Sequence, residues 1–262
     1  MSASSMKKAV SLIPFGYYGV TRGSDARELG FLVATSWLPA IWILFRLGGH
    51  DLGWAIANFL LGYIAFIAIY ELGYLINDAW DAARSDDGRK RLPFAIGAGY
   101  IGPFVLIRLA AWLGIGLWTG WLFNWVWLGG FAALALAFAQ HNLIAAAWLR
   151  ITSFFELSVF RFTLPVIGAI DPAHYLEPVM AALLFYTYLR YLSYVESKGV
   201  LAMPERRSPA FGLLQTLMLA PLVAWLAFLA HATLLVELFA YFLVVRGGWA
   251  MVARGRDAAK PA

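Results

Sequence analysis

The chain has 262 residues, of which 62% are hydrophobic, 16% aromatic and only 13% charged, with a formal net charge of +5. Soluble domains average near 45 to 50% apolar and about 25% charged residues, so this composition excludes an ordinary soluble domain and reads as a polytopic membrane protein. It contains no cysteine, which excludes disulfides and thiolate chemistry, and its four histidines (His50, His141, His174 and His231) have no zinc-ligand spacing. In such a chain the excess of Lys and Arg reports membrane topology, and no nucleic-acid partner is expected.

In chain order, residues 1–28 carry Lys7, Lys8, Tyr17, Tyr18, Arg22 and Arg27, the pattern of a retained cytoplasmic segment lying at the headgroup level. Apolar runs of spanning length follow at 30–47, 52–76, 98–118, 121–138, 151–170, 175–195, 210–229 and 233–252. They predict an all-α, polytopic transmembrane bundle of about eight spans, forming a single integral membrane domain over residues 1–262. With the N-terminus inside, most basic residues, among them Lys7, Arg22, Arg89, Lys90, Arg150, Lys198, Arg206 and Arg254, fall on the cytoplasmic side. An even number of spans then returns the C-terminus to that side. Of the basic residues left within spans, Arg161 has Glu156 as its expected partner, while Arg190 is a candidate either for a phosphate or for pairing with Glu196 or Glu71.

The densest polar stretch closes the second run, at 70–91. Asn77, Asp78 and Asp81 are spaced i, i+1 and i+4, so a continuing helix puts Asn77 and Asp81 on one face with Asp78 beside it. Crowded carboxylates repel one another unless a cation sits among them, and hard oxygens in a small space suit Mg²⁺ bound jointly with a substrate phosphate. Glu71 lies about two turns deeper, where an ionisable group is costly and by default functional. The competing interpretation is a solvated cap at the end of a membrane helix.

A second cluster closes the sixth run. Tyr191, Tyr194 and Lys198 are spaced i, i+3 and i+7, one helical face bearing hydroxyls and an ammonium, with Arg190 one step round. An interfacial aromatic belt and a snorkelling arginine are the alternatives there.

Asn77, Asp78 and Asp81 resemble the NDxxDxxxD signature of the UbiA superfamily of intramembrane prenyltransferases. Ser85 stands at that signature's last aspartate, followed by Asp86 and Asp87. The family's second signature, DxxDxxxD, falls at Tyr191, Tyr194 and Lys198, where its acidic character is lost. Members usually have nine transmembrane helices, one more than the runs here.

The resemblance implies a helical bundle with a central cavity open to the cytoplasmic face and Mg²⁺ as cofactor. It implies transfer of a polyprenyl group from its diphosphate to an unidentified acceptor, so an isoprenoid lipid is the expected partner. Asp78 and Asp81 are the expected catalytic residues. Asn77, Asp78, Asp81 and Asp86 are the expected metal ligands, and Asn77, Glu71, Arg190, Tyr191, Tyr194 and Lys198 the substrate contacts. Phosphoribosyl transfer to a polyprenyl phosphate is the first alternative, and a non-catalytic lipid- or partner-binding descendant of the fold is the second.

Overall fold

A computed structural model describes residues 3–22, 25–84, 94, 96–144, 146–208 and 210–258, without the side chains of 3, 4, 80–84, 147, 207 and 255–258. Two short helices, α1 (Ala3–Val10) and α2 (Gly16–Thr21), precede α3 (Ala26–Leu47), α4 (Leu52–Arg84), α5 (Ala98–Thr119) and α6 (Trp125–Leu143). Next come α7 (Ala147–Ile167), α8 (residues 176–197), α9 (Phe211–Met218), α10 (Ala220–Leu229) and α11 (Thr233–Ala258). The described residues form no strand.

All eight apolar runs fold as helix. Five of these helices (α3, α4, α5, α6 and α11) are long and apolar enough to cross a bilayer, and α9 with α10, bent by 42° at their junction, make a sixth if they count as one span. This is an integral membrane protein. The two runs that fall outside that set, α7 and α8, carry the polar residues Arg161, Glu156, Arg190 and Glu196, which lower their hydropathy and turn inward or toward one end.

Local chemistry sets the helix boundaries. Gly49 at φ 70° makes the turn into α4, and the Asp51 carboxylate accepts the Trp54 N–H at 2.8 Å. Gly120 at φ 77° stops α5, and the Asn124 side chain caps α6 by accepting from Val126 and Trp127. Two stretches widen into π-helix, Val33–Trp37 in α3 and Ala182–Thr187 in α8. Such bulges are frequent at functional sites, and both of these border the cavities described below.

The long helix α4 is the hub, packing against α3, α5, α6 and α7. Its contact with α7 is close: a Cβ added at Gly62 would stand 2.0 Å from the Pro165 carbonyl oxygen, so only glycine fits. The central core is aromatic and aliphatic, built from Phe59, Phe66, Trp127, Phe162, Phe185 and Phe242. The outer faces are apolar as well, with Leu106, Leu136 and Val244 fully presented, as a lipid-facing surface requires.

Candidate functional site

The N-terminal segment is held into the bundle by two carboxylates of α4. Glu71 is fully buried: its Oε2 accepts from Arg108 Nη2 at 2.5 Å and Nε at 3.1 Å, and its Oε1 accepts the Tyr18 backbone N–H at 2.7 Å. Arg108 spends its remaining donors on the carbonyls of Ser11, Leu12, Ile13 and Phe104, so it caps the chain just after α1. The reversal into α2 needs Phe15 at φ 71° and a glycine after it, because a Cβ at Gly16 would lie 1.9 Å from the Val10 carbonyl oxygen.

About two turns along α4, Asp78 takes both Arg22 nitrogens, Nη2 at 2.7 Å and Nη1 at 3.0 Å, and the Tyr17 hydroxyl at 2.7 Å. Burial, and then the Asp78 charge, push the Tyr17 hydroxyl well above its ordinary range. Burial pulls Arg22 down, but its hydrogen bonds to Asp78 and the neighbouring Tyr74 outweigh that and leave it above its ordinary value. The Arg22 guanidinium also lies 3.8 Å from the Tyr74 ring centre.

A layer of tyrosines separates these pairs from a different environment. Arg161, on α7, is 5% exposed and stands 5.5 Å from the ring centres of both Tyr18 and Tyr70. Arg190, on α8, lies 5.1 Å from the Tyr186 ring centre. Both line one cavity of about 440 Å³, together with Tyr18, Arg27, Glu28 and Trp249. Neither makes an ion pair or a hydrogen bond among the described residues, and the Nε of each is buried without a partner. The second cavity, about 500 Å³, shares Phe31, Arg190 and Trp249 with the first and continues past Phe154, Phe185, Tyr186 and Leu213. Its second arginine is Arg246, which donates to the Thr216 hydroxyl and to the Phe185 carbonyl at 2.5 Å.

The expected site residues divide accordingly. Arg190 and Tyr194 line the larger cavity, with Tyr194 stacked on Phe154 at 3.9 Å, while Tyr191 meets Phe155 edge-on. Lys198 is exposed over the Tyr194 ring and lines neither cavity. Asn77 is half-buried on α4. The Asp81 side chain and all of Ser85, Asp86 and Asp87 lie outside the described residues. The expected pairings are corrected: Glu196 pairs with Arg206 and Glu71 with Arg108, so neither meets Arg190. Glu156 does not pair with Arg161, since five residues along a helix turn them to different sides.

Arg108, Arg22 and Tyr17 went unnoticed as partners of Glu71 and Asp78. The one signal was Arg108, a basic group inside an apolar run, and these pairings span separations no local pattern reveals. Of the four expected magnesium ligands, Asp81 and Asp86 have no described side chain, and Asp78 is already engaged. Three donors already engage the Asp78 oxygens, a guanidinium occupies the cation's place, and no group of three or more acidic or histidine side chains converges among the described residues. Comparison with family models, with curated proteins and with solved structures finds no match.

Proposed function

We propose that this protein is an intramembrane transferase acting on a lipid that carries a diphosphate head, moving its polyprenyl group to an acceptor. One observation supports the proposal: a basic cavity lined by Arg161 and Arg190 adjoins a larger, mainly apolar one, with Phe31, Arg190 and Trp249 common to both walls. An anionic head and a hydrocarbon chain would each meet matching chemistry there. In the reaction the carbon–oxygen bond breaks with its electron pair leaving on the diphosphate, the acceptor's lone pair forms the new bond, and the acceptor's proton passes to water or to the diphosphate. Guanidinium groups aimed at the leaving oxygens stabilise the charge that develops on them. The aromatic walls, Phe154, Phe185 and Tyr186, exclude water and face a carbocation with π density.

The test is pyrophosphate release by the full chain in lipid nanodiscs, supplied either with polyprenyl diphosphate and candidate acceptor alcohols or with phosphoribosyl diphosphate and polyprenyl phosphate. Release with the first pair is expected. Release only with the second moves the assignment to sugar-phosphate transfer. A lipid-binding protein without chemistry is the second reading, favoured by the engagement of Glu71 and Asp78 in arginine pairs. Tight binding with no release from either donor would establish it.

A further inference from the structure

We infer that Arg161 and Arg190 form a phosphate- or diphosphate-binding site that works without a metal ion, and that Asp78 is a strap for the N-terminal segment and no part of that site. For its ligand class this assignment rests on the proposed function. A buried cation with no partner is costly, because the medium around it does not replace the water it has lost. Each of the two deep carboxylates on α4 has an arginine of its own, at 2.5 Å for Glu71 and 2.7 Å for Asp78. Arg161, buried to the same degree, has only tyrosine faces, and it borders an open cavity. Arg190 reaches the same cavity from a different helix and also pairs with no acid among the described residues.

Two planar forks lining one cavity suit the oxygens of a phosphate or diphosphate, whose geometry allows parallel N–H···O bonds. Tyr186, whose ring Arg190 faces at 5.1 Å on the wall of the larger cavity, has a hydroxyl buried without a partner among the described residues. At the rim stand Arg27 and Glu28, both exposed, and Glu28 pairs with neither arginine among the described residues. The rim charges cancel, so the positive field inside comes from Arg161 and Arg190. Their charge of two suits the head of a phospho-lipid, and a magnesium ion would compete with them for it.

The tyrosine layer supports the separation of roles. Tyr70 and Tyr74 pack edge-on at 4.9 Å, with Arg161 against the first and Arg22 against the second. The Asp78 carboxylate thus meets Tyr17 and Arg22 from the N-terminal segment, while Arg161 stands against Tyr70 at the cavity.

The experiment is calorimetric titration of inorganic pyrophosphate, and separately of nanodisc-borne polyprenyl phosphate, into the full chain with excess EDTA. Binding that persists in EDTA is expected, with a loss of about tenfold or more in Arg161→Gln and in Arg190→Gln, the range for losing one charge-assisted contact. Arg46→Gln, which breaks an exposed pair with Glu237, controls for the loss of one positive charge and leaves affinity unchanged. Arg190 is only partly buried, so its variant keeps the test alive if Arg161→Gln fails to fold. Binding of the lipid alone marks a headgroup site, and binding of both marks a general phosphate site. Binding that EDTA abolishes, or that Asp78→Asn abolishes while both arginine variants retain it, overturns the inference. Metal-free binding without pyrophosphate release would sink the transferase and leave this site standing, whereas release with arginine-independent binding would do the reverse.

Discussion

Two regions of the bundle, both bordered by the Tyr70–Tyr74 pair, treat buried charge in opposite ways. Around the N-terminal segment every deep charge is matched: Glu71 with Arg108, Asp78 with Arg22, and the leftover guanidinium donors with backbone carbonyls. In the cavity, Arg161 and Arg190 are left with aromatic faces. The same residue type serves structure where its partner belongs to the chain, and is available for function where the partner is missing. Burial alone does not separate the two, since Arg108 and Arg161 are both among the most buried polar groups in the molecule.

The comparison breaks most sharply at the fully buried pair. Arg108→Leu strands Glu71 and should cost about 3–5 kcal/mol in a detergent unfolding titration, and the Glu71→Leu/Arg108→Leu double variant should recover most of that loss. A single variant as stable as the parent would show that the pair does not organise the segment. Arg22→Gln should be next, about 1–3 kcal/mol, because Asp78 loses both guanidinium hydrogen bonds. Hydrogen exchange is the readout, and faster exchange confined to residues 11–22 is the expected result.

The other side of the comparison predicts an inversion of the usual rule for buried arginines. Arg161→Met removes an unmatched charge at similar volume, so the ligand-free protein should melt at an unchanged or higher temperature. A loss as large as that of Arg108→Leu would mean that Arg161 has a partner within the fold. The smallest effect is that of pH on the strap. Tyr17 and Arg22 both titrate above their ordinary values in the folded state, which favours their protonated forms on folding. That stabilisation is complete below the unfolded tyrosine value, about 10, and is lost as pH rises beyond it toward the folded values. Melting temperature should therefore be flat in this respect through neutral pH and fall only in alkali, and Tyr17→Phe should reduce the alkaline slope.

Much of the architecture was legible because apolar runs of spanning length constrain it strongly. Each of the eight expected runs is helical, and most boundaries carry a visible signal, as with Gly49, Gly120 and Asn124. The extension of α4 through Asn77 and Asp78 also follows from their i, i+1 spacing after an unbroken run. What sequence could not supply was the direction in which the α4 carboxylates face. Glu71 and Asp78 are seven residues apart, two helical turns, and so share a side of α4, but nothing local says whether that side meets a cavity or residues 11–22. The answer lies in Arg108, thirty-seven positions beyond Glu71, and in Arg22, fifty-six before Asp78. Arg190 was legible as a candidate from its place beside Tyr191 and Tyr194, and it lines both cavities. Arg161 was not, because Glu156 close by in sequence offered a simpler partner that the helix turns away.

The most direct measurement is an experimental structure of the protein in nanodiscs with a non-hydrolysable polyprenyl thiodiphosphate. Diphosphate density within hydrogen-bonding reach of both Arg161 and Arg190, with Asp78 still on Arg22, is the predicted result. Density bridged by a metal to Asp78 and Asp81, with Arg22 displaced and the arginine cavity empty, would contradict it.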